Sequence, residues 1–129
     1  MRPDTDGDPL ARHSLSASEL KALFAAERGG EPFLAFKDQD GRLNLFPTGG
    51  GAETLAVGRR LELDLSISWD SEVSGLHAEL QGVRGEWTIV DDGLSTNGTY
   101  VNGTQVSSPT RLRRGDRVQF GQTVGEVVR

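Results

Sequence analysis

Val73-Ser74-Gly75-Leu76-His77-Ala78-Glu79-Leu80 opens a stretch that closes with Asp92-Gly93-Leu94-Ser95-Thr96-Asn97-Gly98-Thr99-Tyr100-Val101-Asn102-Gly103. Between them, Glu86-Trp87-Thr88-Ile89-Val90-Asp91 has the alternation and β-branched content of a short strand. The Asn-Gly pairs at 97–98 and 102–103 mark tight turns, because both residue types tolerate positive φ. Hydroxyls and amides collect in those turns, at Ser74, Ser95, Thr96 and Asn97, where no core needs them. Neutral donors on rigid loops, with arginines nearby, suit a phosphate group carried on a peptide.

Outward from this stretch the chain keeps the same rhythm. Ala78 to Val83 and Glu86 to Val90 predict a hairpin around Arg84-Gly85. Upstream, Leu63 to Ile67 alternates, and Thr54 to Val57 forms a strand that delivers Gly58-Arg59 at its end. Pro32 to Lys37 pairs with Arg42 to Phe46 across an Asp38 to Gly41 turn, and Thr48 to Ala52 is a glycine-rich loop. Downstream lie Arg117 to Phe120 and Val124 to Val128. Short strands with no helix between them predict an all-β, antiparallel β-sandwich over residues 32–129.

One helix precedes the sandwich. Ser16 and Glu19 have the spacing of a capping box, and Leu15 and Leu20 that of a hydrophobic staple. Leu20, Leu23 and Phe24 share a face, and Gly29-Gly30 stops the helix. This N-terminal helical extension covers 15–31, and its apolar stripe is expected to pack on the domain that follows, with a partner as the alternative. Residues 1–14 carry no apolar period and read as a disordered tail.

Composition narrows the function. A chain of 129 residues, 35% hydrophobic, buries one modest core. Seventeen glycines favour turns and strands over long helices. There is no cysteine, so disulfides and thiolate sites are excluded, and two histidines make an imidazole metal site a poor expectation. A net charge of −5 argues against nucleic acid and against an anionic membrane surface. No apolar run approaches the ~20 residues of a membrane span, and the polar N-terminus lacks a signal peptide. A soluble cytoplasmic protein is expected, monomeric, without metal or cofactor.

In order, Gly58-Arg59, Ser74-x-x-His77 and Ser95-Thr96-Asn97-Gly98-Thr99 resemble the forkhead-associated (FHA) domain, a phosphothreonine-binding module of about eleven short strands. Leu112-x-x-Gly115-Asp116 and Val118-x-Phe120-Gly121 are similar to that family's closing strands. The resemblance implies recognition of a phosphothreonine-containing protein within Ser/Thr kinase signalling, with no catalysis. It resembles in particular the small FHA proteins of bacteria, where a Ser/Thr protein kinase supplies the mark. Residue by residue, it implies Arg59, Ser74 and Thr96 as phosphate ligands and Asn97 as the amide that holds the peptide main chain. Arg60, Gly75, Arg84 and Ser95 are accessory candidates; Gly58, His77, Gly98 and Asn102 are expected to support the site. Threonine would be favoured over serine through a recess for its γ-methyl, a preference worth only ~1–3 kcal/mol.

Two other functions compete. Ser74, His77 and Asp91 or Asp92 are the residue types of a hydrolytic triad, but no Gly-x-Ser-x-Gly elbow surrounds the serine. The resemblance gives His77 a bracing role instead. The second competitor is a phosphate-independent scaffold. It draws on one departure: Gly75 follows Ser74 where the family often has arginine, lysine or asparagine. A charge-assisted contact worth ~1.5–3 kcal/mol is then missing, unless Arg60 or Arg84 replaces it.

Overall fold

The computed structural model describes residues 15–29, 33–47, 54–83 and 86–128. The expected tail, 1–14, the glycine-rich loop around residue 50 and Arg84 lie outside them. One helix, α1 (Ala17–Gly29), precedes β1 (Phe33–Lys37), β2 (Leu43–Pro47), β3 (Thr54–Gly58), β4 (Leu65–Ser66) and β5 (Ala78–Val83). After them come β6 (Glu86–Val90), β7 (Thr99–Val101), β8 (Thr104–Gln105), β9 (Thr110–Leu112), β10 (Arg117–Phe120) and β11 (Thr123–Val128). They form a six-stranded sheet, β2-β1-β11-β10-β7-β8, and a five-stranded sheet, β4-β3-β5-β6-β9. The all-β sandwich with one N-terminal helix is therefore the fold.

Alternation assigns each strand its faces. Val118 and Phe120 of β10, Leu80 of β5, and Trp87 and Ile89 of β6 meet between the sheets with Leu34, Phe36 and Val57. The strand β1 is different, because Phe33 to Phe36 are all buried. Leu34 and Phe36 enter the inter-sheet core, whereas Phe33 and Ala35 point outward into a second cluster. That cluster is closed by Leu15, just before α1, and by Leu20 and Leu23 of α1, over Leu43, Leu45 and Val128. A strand covered on both faces reads as an unbroken apolar run.

The helix begins as its sequence dictates. Ser16 N–H donates to Glu19 Oε1 at 2.9 Å, and Glu19 N–H donates to Ser16 Oγ at 3.1 Å. Both staple leucines lie in the outer cluster. Glu19 does one thing more: its Oε2 accepts the Leu43 N–H of β2 at 2.7 Å, fastening the helix to the edge strand.

The expectation of a purely antiparallel sheet needs correcting at one place. Here β4 runs parallel to β3, pairing Val57 with Leu65 and Gly58 with Ser66. Only Leu65 and Ser66 of the Leu63 to Ile67 run join the ladder. The chain curls back through residues 59–64, and Asp64 Oδ2 takes the Ala56 N–H at 2.8 Å, which a longer strand would otherwise satisfy.

Candidate functional site

Three loops meet at one end of the sandwich: β3–β4 (59–64), β4–β5 (67–77) and β6–β7 (91–98). The first two run side by side. Arg59 N–H donates to Ser74 O at 2.9 Å, Arg60 N–H to Gly75 O at 3.3 Å, and His77 N–H to Val57 O at 2.8 Å. Gly58 permits this approach, because a Cβ there would lie 2.2 Å from Gly75 O. No side chain fits that gap.

His77 joins the second loop to the third. Fully buried, its ring accepts the Ser74 N–H at Nδ1, 3.0 Å away. An acceptor Nδ1 leaves the proton on Nε2, which donates to Gly98 O at 2.9 Å. The imidazole and the Phe120 ring pack in a T-shape, with centroids 5.7 Å apart at 88°. Ser74 adds a further link, its Oγ accepting the Thr96 N–H at 2.9 Å. Asn97 adds another, its Nδ2 donating to Glu72 O at 2.9 Å. Gly98 takes φ of 90° at the turn that presents its carbonyl. Ser74, Thr96 and Asn97 thus stand together, beside Arg59.

Below them the third loop is braced by Asp91, which the sequence offered only as a triad member. Its Oδ2 accepts hydrogen bonds from the Ser95 and Thr99 hydroxyls, and its Oδ1 accepts the Ser95 N–H at 3.1 Å. Burial opposes ionisation of this carboxyl, but the Ser95 hydroxyl and N–H and the Thr99 hydroxyl outweigh it and hold its pKa below the ordinary value. Ser95 also accepts the Gly98 N–H at 2.9 Å. Its hydroxyl is absorbed in the turn. Asp70 went unnoticed as well: it caps Glu72 N–H at 3.0 Å and ties this loop to Gln122 N–H at 2.7 Å and Thr123 Oγ1 at 2.8 Å. Its signal was local, an aspartate two residues before the amide it caps.

Asn102 sits at the other end of β7, in the left-handed region at φ 51°. It bonds Asp116 Oδ1 at 3.0 Å and Arg117 N–H at 3.0 Å, so it braces the β7–β8 and β9–β10 turns rather than the loop cluster.

A triad is not assembled. His77 turns Nδ1 to the Ser74 amide and Nε2 to a carbonyl, and Asp91 spends its carboxylate on Ser95 and Thr99. What the cluster offers is donors: the guanidinium groups of Arg59 and Arg60, both exposed, and the Ser74 and Thr96 hydroxyls. Among the described residues neither arginine side chain has a hydrogen-bond or ion-pair partner. No group of His, Asp or Glu suited to a metal ion occurs among the described residues. Nor is any helix among them long and apolar enough to cross a membrane.

Comparison with known proteins fits this geometry. A family model described as the FHA domain matches residues 55–121. The FHA domain-containing protein FhaB of Mycolicibacterium smegmatis is 34% identical over 77 residues, which cover 60% of this chain and 48% of FhaB. This chain therefore spans about half the length of that curated relative. The FHA domain of CT664 from Chlamydia trachomatis matches with a TM-score of 0.68 at 26% identity, over 76% of this chain and 96% of that one. An FHA domain solved in a study of phosphothreonine-dependent FHA domain interactions matches with a TM-score of 0.63 at 26% identity, over 76% and 95%.

Proposed function

This chain belongs to the FHA domain family, and from that premise we propose that it binds phosphothreonine-bearing segments of partner proteins without catalysing a reaction on them. One observation carries this function: Ser74 Oγ receives the Thr96 N–H, so the hydroxyl-bearing residues of two loops are fixed side by side next to an arginine with no side-chain partner among the described residues. Arg59 supplies charge, Ser74 and Thr96 supply hydroxyl donors, and Asn97 holds the peptide main chain. Pre-positioned donors lower the entropy cost of gripping a dianion. Gly58, His77 and Gly98 hold the loops in place, and Asp91 supports them from below. The partner is a target of a cytoplasmic Ser/Thr protein kinase, or the kinase itself, and the protein acts as a monomer without cofactor. The organisation proposed with it is a helical extension over 15–31 and a sandwich over 32–129, with α1 packed on the sandwich through the cluster it closes.

Calorimetric titration with one peptide in three forms tests this function. The phosphothreonine form is expected to bind, the phosphoserine form more weakly by ~1–3 kcal/mol, and the unphosphorylated form not measurably. Equal binding of the phosphorylated and unphosphorylated forms would leave a phosphate-independent scaffold as the function.

A further inference from the structure

Granting that this site takes phosphothreonine, we propose that Arg60 is a second phosphate-gripping residue, reaching across from the β3–β4 loop into the space that Gly75 leaves open. A Cβ built on Gly75 would lie 3.1 Å from Arg60 Nε, 3.6 Å from Cγ and 3.7 Å from Cζ. Both the stem and the head of Arg60 therefore lie over Gly75, where a side chain of residue 75 would otherwise project. The backbone holds the two residues in register, with Arg60 N–H on Gly75 O. Next to Gly75 is Ser74, whose Oγ already carries the Thr96 N–H.

The chemistry of the occupant follows from charge. Arg59 and Arg60 are adjacent, exposed and without a carboxylate partner among the described residues. Two exposed like charges on consecutive residues favour an anion that both can reach. A phosphate dianion offers three oxygens, enough for both planar guanidinium groups at once. Glycine at 75 has a positive purpose here, since even a methyl group would push against Arg60 Nε. The cation that the motif lacks at its own position is supplied in space from another loop.

Affinities for two phosphothreonine peptides, one with alanine flanks and one with acidic flanks, decide the matter, measured for wild type, Arg60→Ala, Arg60→Lys, Gly75→Ala and the double variant Arg60→Ala/Gly75→Arg. Arg60 is exposed, so each variant is expected to melt as wild type does. Arg60→Ala should lose about tenfold or more, with part of the loss recovered in Arg60→Lys. Gly75→Ala should weaken binding by displacing Arg60, and the double variant should regain affinity because its new arginine starts from the vacated place. Wild-type affinity in Arg60→Ala would overturn the role of Arg60 alone. So would a loss seen only with acidic flanks, because Arg60 would then read the flank and not the phosphate. A wild-type protein that ignores the phosphorylated peptide overturns the phosphothreonine function together with the role of Arg60.

Discussion

The ring of His77 and the backbone of Ser74 are locked by one hydrogen bond, Ser74 N–H to Nδ1 at 3.0 Å, and the opposite ring nitrogen holds Gly98 O at 2.9 Å. One buried imidazole thereby sets the spacing between the β4–β5 and β6–β7 loops.

Replacing His77 by alanine leaves the Ser74 N–H and the Gly98 carbonyl without their partner. Each buried unsatisfied group costs ~1–3 kcal/mol, so His77→Ala should lower stability by about 2–6 kcal/mol and weaken phosphopeptide binding with it. Urea denaturation and a peptide titration on the same preparation give both numbers. An unchanged midpoint with lost binding would instead make His77 a direct ligand.

Arg59 is expected to behave in the opposite way. Its side chain is exposed and has no hydrogen-bond or ion-pair partner among the described residues, while its backbone N–H on Ser74 O survives any substitution except proline. Arg59→Ala should cost ~1.5–3 kcal/mol of phosphopeptide affinity and leave the melting temperature in place. Retained affinity in the folded variant would move the phosphate to other residues.

The sequence carried the local devices well. The capping box of Ser16 and Glu19, the hairpin from Ala78 to Val90 and the brace at His77 were each legible, because their partners lie close in the chain or recur as a motif. What stayed hidden depends on contacts across the fold. Nothing near Glu19 announces that Leu43, 24 residues on, donates to it. Beside Gly75 the sequence offers Arg60 and Arg84 alike, and only the fold sets Arg60 over it. The alternation of Leu63 to Ile67 suggested a strand that competes, in the folded chain, with the curl in which Asp64 caps Ala56. In sequence Ser95 offers a hydroxyl to the site; in the fold Asp91, four residues before it, takes that hydroxyl into the turn.

Gly58 gives a steric prediction. Its added Cβ would overlap a backbone oxygen, Gly75 O at 2.2 Å, and would stand 2.8 Å from Leu63 Cδ1. A leucine methyl moves aside readily; a carbonyl fixed by the Arg60 N–H does not. Gly58→Ala should therefore part the two loops, costing about 1–3 kcal/mol of stability and a larger share of binding. Crystals or amide shifts of the variant should locate the change at residues 58–60 and 74–76. A variant with wild-type shifts there and undiminished affinity would show that the loops are not held as closely as described.

Glu19 couples the helix to the sheet through charge, which makes the coupling pH-dependent. Its carboxylate accepts the Leu43 N–H at 2.7 Å and the Ser16 N–H at 2.9 Å. Those two bonds, the Leu43 bond foremost, hold its pKa below the ordinary 4.5. A carboxyl lowered by folding contributes stability that is complete above the unfolded value and disappears as pH falls through the folded one. Between about pH 6 and about pH 3 the Leu43 amide should lose protection against hydrogen exchange, after correction for the intrinsic rate, and α1 should loosen with it. Asp38, in the β1–β2 turn, also has a lowered pKa, with burial opposing and the Arg42 N–H and Asn44 amide favouring its charge. Its protonation would loosen the same hairpin, so the comparison must be made in its presence. Glu19→Gln provides that comparison, because it keeps Asp38 and removes only the titrating group at the helix. In Glu19→Gln the Leu43 amide should be less protected at neutral pH and should change less as the solution is acidified. Identical acid profiles in the two proteins would assign the transition to Asp38 and remove Glu19 from it.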